Sequence, residues 1–308
     1  MRISNSFTSS RSSTSKWAKL ALLGTFAIGA QVSIASGSAH TGEHGSDHNT
    51  KPAKDATAHE THAVAHEATH EACVGFGPQT PRDIDQLAGT NKRNFSLAPS
   101  YTEMNLCNIH FHNNAEHKAK DFSIFAGEGD SAGYQCAISQ SLSRSELALP
   151  KTGTVCNGLK PGDTIEVHWV HSSCDIKPGA GLGSCLSDSC ANPDLRVETQ
   201  VFTLVNDRSA LNFNDFDYPG RTKNGYHQAK ALPTNTGKPV EFTGSTTGPK
   251  YSEAVCSPLQ VSWSVRPHCA KLDIKSLGQW CENNVFGEDH AHGVRKLVVN
   301  PALLSEIK

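Results

Sequence analysis

The sequence lacks the motifs and the charge of several common functional classes. It has no glycine-rich phosphate loop and no C-x-x-C pair, which argues against a phosphate-binding enzyme and a multi-cysteine zinc cluster. The formal net charge of the 308 residues is only −2, so no strong field attracts nucleic acid or an anionic membrane. We therefore expect neither as a partner.

Long hydrophobic runs are also scarce. One apolar run, at about residues 20–30, follows a basic N-terminal region and precedes small residues. The run is too short to span a bilayer well, and the pattern predicts a secretory signal over residues 1–39, cut after Ala35 or Ala39. An uncleaved membrane anchor is the alternative. No other segment is apolar enough to cross a membrane, so we expect export to a periplasm or to the cell exterior.

Cysteine usage agrees with export. All ten cysteines lie outside the predicted signal, and an even number in an oxidising compartment predicts disulfides. Cys73 stands at the start of the folded region, while Cys269 and Cys281 stand near its end, which favours disulfides that tie these ends. The sequence leaves the pairing open.

Residues 40–72 form a polar, histidine-rich segment. They contain seven of the sixteen histidines and no large apolar side chains except valine, so we expect a disordered linker rather than a core. The spacing from His59 to His70 would align imidazoles if this part became helical. A metal-collecting tail and a solvated linker fit the segment equally well, and we do not place the catalytic metal here.

Strand patterns dominate residues 73–308. Apolar and β-branched residues alternate or cluster over 163–171, 197–205 and 259–265, and Gly, Pro, Asn and Asp punctuate the intervals. Helical periodicity is weak outside 275–283 and 301–307. We therefore predict a mainly β fold, with one large β-sheet domain and few short helices.

Two of the predicted strands carry a candidate metal site. His110 and His112 are two residues apart, so on a strand they share one face. Glu166 and His168 share a face of the second strand. If the strands are neighbours, His168 supplies a third imidazole, which is the pattern of a catalytic zinc site with one open position. Glu166 would then orient His168 through a hydrogen bond. The alternative is a set of surface histidines on an exposed sheet.

These segments resemble carbonic anhydrases. "HFHNNAEH" (110–117), "EVHWVH" (166–171), "QTPRDI" (79–84), "FTGSTTGP" (242–249) and "VSW" (261–263) resemble α-class active-site motifs and occur in the same order. The spacings differ from the α-class: the stretch before the H-x-H is shorter, and the stretch between Glu116 and Glu166 is longer. With "CVGFGPQTPRDID" (73–85) and the C-terminal segment 269–301, the chain is most similar to the δ-class. The resemblance implies an α-carbonic-anhydrase-like β domain.

The resemblance implies reversible hydration of CO2 to bicarbonate by attack of metal-bound hydroxide. It implies that His110, His112 and His168 bind Zn2+, with Co2+ or Cd2+ as possible substitutes. CO2 and bicarbonate would be the substrates, and the oligomeric state stays open. Three neutral imidazoles suit this chemistry because they leave the ion able to lower the pKa of its water to about 7.

Further roles follow from the same resemblance. Glu116 would be the buried carboxylate behind the reactive hydroxide, and Thr247 the hydroxyl that accepts from the hydroxide and donates to Glu116. Thr246 is a close second, because the "GP" after Thr247 departs from the family pattern. Gln79 would be a scaffold residue. Three side chains would line an apolar pocket for CO2: Val170, Trp263 and Val201.

His117 and the proton shuttle stay open. If Asn113–Asn114 makes a two-residue turn, His117 rather than Glu116 faces His110; if the strand continues, Glu116 lies on the ligand face. The α-class shuttle histidine has no counterpart. His171, His117 or the N-terminal histidines are the candidates to replace it.

Two rival functions remain at this stage. The first is a metal-binding cupin, since His110, His112 and Glu116 fit its H-x-H-x3–4-E motif; Glu116 would then bind iron or manganese directly. The second is a non-catalytic periplasmic metal-binding protein, which the histidine-rich segment favours. The "GSTT" segment and Trp263 favour catalysis, because metal storage requires neither.

Overall fold

The structure is a computed structural model that describes residues 73, 75–93, 95–129, 132–248 and 250–308. These belong to one compact unit, Ala65–Lys308. The predicted signal peptide and the histidine-rich segment lie outside the described residues. No helix in the described ranges is long and apolar enough to cross a membrane.

Ten strands and one α-helix form in the described part of the chain. The strands are β1 (Asn105–Asn113), β2 (Phe122–Phe125), β3 (Tyr134–Cys136), β4 (Thr164–Ser172), β5 (Leu195–Val205), β6 (Thr222–Lys223), β7 (Tyr226–His227), β8 (Val240–Ser245), β9 (Gln260–Val265) and β10 (Ala270–Asp273). The helix α1 spans Ile274–Glu282. The prediction of a mainly β fold with few helices is therefore confirmed.

A six-stranded mixed sheet forms the centre of the unit. Its order is β1-β4-β5-β9-β8, and β10 also pairs with β5. Two parallel strands pair with the same edge of the 11-residue β5. β9 pairs with Arg196–Thr199, and β10 pairs with Phe202–Val205. Pro267 lies between β9 and β10. Since proline cannot donate to the ladder, it suits this break.

The alternation along β4 explains why the sheet is buried on both faces. Ile165, Val167 and Trp169 point into an aromatic-rich core that α1 covers through Leu277 and Trp280. The even-numbered residues point the other way, where Val170 joins a second apolar cluster. Since all nine residues of β4 are buried, the strand must place its polar residues inside the protein, and this is where the candidate site forms.

All ten cysteines are paired. The disulfides are Cys73–Cys256, Cys107–Cys185, Cys136–Cys269, Cys156–Cys281 and Cys174–Cys190. The prediction of disulfides is confirmed, and five of them indicate an oxidising, exported location. They tie the ends of the domain to its interior rather than to each other. Cys107 lies in β1, so Cys107–Cys185 anchors the strand that carries two of the candidate ligands.

Candidate metal centre

The structure brings the three predicted imidazoles together. β1 and β4 are antiparallel neighbours, and their register places His110 directly opposite His168. His112 lies two residues further along the same face. One nitrogen from each ring lies within 4.8 Å of the other two. The ring centroids of His112 and His168 are 4.8 Å apart, and those of His110 and His168 are 5.0 Å apart.

Hydrogen bonds fix which nitrogen of each ring is free on β1. Nδ1 of His110 lies 2.6 Å from Oδ1 of Asn108, whose amide is oriented by its donation to the Gly179 carbonyl. Nδ1 of His112 lies 3.0 Å from the Gly293 carbonyl. Since both partners are acceptors, each Nδ1 carries the proton and each Nε2 presents a lone pair.

His168 presents its other ring nitrogen, Nδ1, to the site. Its Nε2 donates to Oε1 of Glu166 over 2.7 Å, which leaves the lone pair on Nδ1. This Nδ1 lies only 3.2 Å from Nε2 of His110. Two lone pairs therefore face each other across a buried gap, an arrangement that is unfavourable unless a cation lies between them.

The spacing fits a metal. Two nitrogens held about 2.05 Å from a tetrahedral zinc ion are about 3.3 Å apart, close to the 3.2 Å between His110 and His168. Nε2 of His112 is buried and has no hydrogen-bond partner, a costly state that a metal would relieve. The three residues therefore fit a divalent ion with three neutral nitrogen ligands.

The electrostatics favour neutral ligands. Burial lowers the pKa of His110 well below its usual range, and the imidazoles of His168 and His112 lower it further. Burial also lowers the pKa of His112, although the Glu116 carboxylate opposes this effect. Both rings are therefore neutral near pH 7, as metal ligation requires.

Glu166 links His168 to His117. Its Oε1 accepts from Nδ1 of His117 over 2.7 Å as well as from His168, and its Oε2 accepts the backbone N–H of His117. Burial alone would raise the pKa of Glu166, but the interactions with His117 and His168 outweigh burial and hold it well below its usual range. Glu166 is thus an ionised acceptor that fixes the ring of His168.

Residues 113–117 form neither of the two arrangements considered from the sequence, a two-residue turn at Asn113–Asn114 or a continued strand. Asn114 has φ +64°, and the chain leaves the strand there without a two-residue hairpin, because β2 starts only at Phe122. The side chains of Glu116 and His117 both reach the site. Glu116 lies beside His112, with Oε1 3.3 Å from Nδ1, and His117 lies against Trp263, with ring centroids 4.6 Å apart.

Glu116 has one oxygen left for a partner. Its Oε1 accepts the backbone N–H of Arg295 at 3.4 Å, whereas its Oε2 is buried without a hydrogen-bond partner. Arg295 also donates to the Thr80 carbonyl over 2.5 Å and to Oε1 of Gln79 over 3.4 Å. Gln79 in turn exchanges hydrogen bonds with the backbone of Ser257, so it links the segments that carry Arg295 and Ser257.

Comparison with known proteins identifies the family. The sequence model of the delta carbonic anhydrase family matches residues 101–276, more than half of the chain. The chain belongs to the delta carbonic anhydrase family. It is therefore a carbonic anhydrase rather than a cupin or a metal-storage protein.

Two of the solved structures that the chain matches bear the name carbonic anhydrase. One is a hyperthermostable carbonic anhydrase from an active hydrothermal vent chimney: TM-score 0.32, 16% identity, covering 76% of this chain and 87% of that one. Another is the Photobacterium profundum alpha-carbonic anhydrase: TM-score 0.25, 16% identity, covering 74% and 89%. At these TM-scores the likeness adds no weight to the family assignment. No curated protein matches the chain.

The residues predicted to receive CO2 lie in one apolar cluster of the enzyme. Val170, Val201 and Trp263 are all members of it, and the ring of Trp263 lies 5.1 Å from that of His168. The register places Val197, rather than Val201, directly opposite Val170. Val201 lies opposite Glu166, further inside the protein. Val197 and Val201 are four residues apart on β5 and therefore lie on the same face.

The two threonines of "GSTT" differ in their partners. The hydroxyl of Thr246 is buried and bonds the Ser257 hydroxyl over 2.7 Å. Thr247 follows the end of β8 and is half-buried, and the structure does not pair it with the open oxygen of Glu116. The segment starts with glycine because position 244 has no room for a side chain. A Cβ at Gly244 would lie 2.5 Å from the Thr80 side chain and 2.9 Å from Trp263.

Three residues of the site were not predicted from the sequence. Asn108 orients His110 and shares its face two residues earlier, so the strand periodicity could have indicated it. His292 lies beside the ligands, with its ring 5.8 Å from His110 and 44% of its side chain exposed. The hydrogen bond with Glu288 raises the pKa of His292. Arg295 carries no signal in the sequence. By contrast, His171, a candidate shuttle, lies on the other face of β4.

Proposed function

We propose that the enzyme hydrates CO2 with a zinc ion held by His110, His112 and His168. The observation that supports this most directly is the convergence of three lone pairs, two from Nε2 atoms and one from Nδ1, with each opposite ring nitrogen committed to an acceptor. When bound by three neutral imidazoles, zinc lowers the pKa of its water to about 7 and so supplies hydroxide at neutral pH.

The protein's own residues would fix the ligand geometry. Asn108 and the Gly293 carbonyl hold two rings by Nδ1, and Glu166 holds the third by Nε2. Such outer hydrogen bonds keep the tautomer and the ring orientation correct, and they raise the basicity of the ligand. Glu166 is not expected to be a ligand, because its two oxygens already accept imidazole and backbone N–H donors.

Glu116 and Thr247 would orient the nucleophile. The oxygen of Glu116 that has no partner, Oε2, can accept a hydrogen bond from one hydroxyl group. If Thr247 donates to it, the Thr247 oxygen can only accept from the attacking hydroxide, whose lone pair then points at CO2. Thr246 is a poorer candidate because its hydroxyl is engaged with Ser257.

Apolar side chains would hold CO2 next to this network. Val170 and Trp263 are buried and belong to the cluster on the metal face of the sheet. CO2 is apolar, so these side chains accept it without competing for the hydrogen bonds of the polar network.

Metal content and CO2 hydration, measured together, test the proposal. Purified mature protein should hold about one zinc ion per chain, and deletion of residues 40–70 should leave both zinc and activity in place. His168→Ala should lose both while keeping its circular dichroism spectrum. Zinc that disappears with residues 40–70 but not with His168→Ala would place the ion in the histidine-rich segment and refute the proposed site.

Replacement of the Glu116 carboxylate by an amide tests whether Glu116 binds the metal directly. Glu116→Gln should retain zinc at wild-type stoichiometry while activity falls, because here the carboxylate orients and does not bind metal. A loss of zinc comparable to that of His168→Ala would instead make Glu116 a ligand.

We also propose that the chain is exported through residues 1–39 and that residues 40–72 are a linker to the β domain at 73–308. N-terminal sequencing of the exported protein should start at residue 36 or 40. A chain that starts at Met1 would favour the uncleaved anchor.

A further inference from the structure

A β-bulge lies near the start of β1, next to the residues that carry the metal ligands. The pairing with β4 passes from Leu106–His171 to Asn108–Val170, so Cys107 is an extra residue in the ladder. Such a bulge changes which side chains face each side of a sheet. Leu106 belongs to the aromatic-rich core and Cys107 to the cluster on the metal face. Without the extra residue, Leu106 and Asn108 would share one face.

One segment of the chain holds this bulge in place. The Cys107 carbonyl accepts the Gly179 N–H over 3.0 Å and the Ser184 hydroxyl over 2.8 Å, and the Cys107 side chain is bonded covalently to Cys185. All three partners lie in residues 174–190, whose two ends are joined by a further disulfide. We call this segment the disulfide loop.

The disulfide loop also positions the residue that orients His110. The side-chain amide of Asn108 donates to the Gly179 carbonyl over 3.1 Å, and its Oδ1 accepts from Nδ1 of His110 over 2.6 Å. Gly179 therefore bonds Cys107 through its N–H and Asn108 through its carbonyl. A shift of the disulfide loop would move the carbonyl that holds Asn108, and with it the acceptor that fixes the ring of His110.

We propose that the Cys107–Cys185 disulfide is a positioning element of the metal centre, because it fixes the bulge and the disulfide loop against each other. This inference rests on the proposed zinc site. Without the covalent bond, the pairing register at the bulge is less strongly specified. Asn108 would then no longer hold the Nδ1 proton of His110, and zinc would bind more weakly.

Removal of the disulfide tests the proposal through zinc affinity. Cys107→Ala/Cys185→Ala should weaken zinc binding about tenfold, since loss of an outer hydrogen bond typically costs about 10–100-fold in metal affinity. Competition with a zinc chelator on the mature protein measures this change. Cys156→Ala/Cys281→Ala is the matched control. It also removes one disulfide, at α1 on the aromatic face of the sheet, and should keep the wild-type affinity.

A combined variant tests whether the disulfide acts through Asn108. Asn108→Ala alone should weaken zinc binding about 10–100-fold. When the disulfide is removed from Asn108→Ala as well, little further affinity should be lost, because both changes remove the same support of His110. If the two losses multiply instead, the disulfide acts by another route and the proposal is overturned.

Proton exchange gives a second readout, which a general loss of stability would not change at one ring alone. The Nδ1 protons of His110 and His112 are held by different acceptors, Asn108 and the Gly293 carbonyl. In the variant without the disulfide, with zinc in excess, the His110 proton should exchange with solvent about fivefold faster, as expected for a lost hydrogen bond. The His112 proton should exchange as in the wild type. NMR of the ring N–H groups measures both rates.

The outcomes separate this inference from the proposed function. Zinc that His168→Ala does not remove would refute the zinc site itself. Wild-type zinc affinity in the variant without the disulfide, or equal changes of exchange at His110 and His112, would overturn only the role of the disulfide.

A milder variant decides the matter if the protein without the disulfide does not fold. Ser184→Ala removes one hydrogen bond to the Cys107 carbonyl and keeps the disulfide. It should speed the exchange of the His110 proton about twofold and leave the His112 proton unchanged. An unchanged rate at His110 would overturn the proposal.

Discussion

The two faces of β1 and β4 share one backbone but are held together by different forces. On the metal face, side-chain hydrogen bonds orient the buried polar groups, as those between Glu166 and the rings of His168 and His117 do. On the opposite face, aromatic rings pack against each other, as Trp280 does against Phe213 with centroids 4.7 Å apart. The metal face therefore owes its geometry to hydrogen bonds, and the other face owes its stability to apolar burial.

This difference predicts that stability and chemistry can be perturbed separately. A truncation on the aromatic face should lower the free energy of unfolding and leave the ligands in register, because the β1–β4 ladder is intact. A substitution in the polar network should change metal affinity or rate with a smaller loss of stability. Each experiment below tests one side of this contrast.

The largest effect is expected on the aromatic face. Trp280 is 2% exposed, and its Nε1 donates to Asp217 over 2.8 Å. Trp280→Ala should lower the free energy of unfolding by about 3–5 kcal/mol, through lost burial and a cavity. Urea denaturation with disulfides intact measures this loss, and Val285→Ala, 56% exposed, is the control with little change. A Trp280→Ala protein of wild-type stability that has lost its metal would reverse the assignment of roles.

The next effect concerns rate on the polar face. Thr247→Ala and Glu116→Gln should each lower CO2 hydration roughly a hundredfold, because an orienting network typically contributes a few kcal/mol to the transition state. Zinc content should not change. If the two residues act as one unit, as proposed, the double variant should be little worse than either single variant. Stopped-flow hydration assays measure all three.

Two results would revise this network. Additive losses would mean that Thr247 and Glu116 act independently. Wild-type activity in Thr247→Ala with a large loss in Thr246→Ala would show that the orienting hydroxyl is the other threonine, which would then have to leave Ser257.

A smaller effect is expected for metal affinity. Glu166→Gln should weaken zinc binding about 10–100-fold, because His168 loses the charged acceptor that orients its ring. Glu306→Gln, at an exposed carboxylate, is the matched control. Competition with a zinc chelator gives both affinities. Unchanged affinity in Glu166→Gln would mean that the backbone of β4 alone positions His168.

Much of this contrast could be predicted from the sequence because strands repeat every two residues. The H-x-H of β1 and the E-x-H of β4 could be assigned to one face without knowing the fold. The resemblance added Glu116, Gln79 and the "GSTT" segment. The prediction at 275–283 also agrees with α1, whose apolar residues Leu277 and Trp280 repeat at helical spacing.

The rest depends on contacts between distant segments. The Gly293 carbonyl reaches His112 from 181 positions away, and no local pattern indicates this. The helix predicted at 301–307 forms only a short 3-10 turn, Pro301–Leu303, because backbone groups of Leu304 and Ile307 bond residues 91 and 87 instead. Leu259, the first residue of the strand pattern predicted at 259–265, is 49% exposed just before β9 begins.

The smallest effect concerns His171 on the apolar face and follows from its pKa of about 3 in the folded state. An unfolded histidine has a pKa near 6.5, so between these values the unfolded chain binds a proton that the folded protein does not. Stability is therefore full above pH 6.5 and falls as the pH decreases toward 3. At pH 5 the loss should be about 2 kcal/mol, whether the folded pKa is 3 or 4. Urea denaturation at pH 7 and pH 5 should show this difference in wild type and not in His171→Phe, once the shared contribution of the other histidines is subtracted. Equal pH dependence in the two proteins would mean that His171 is solvated and able to protonate in the folded state.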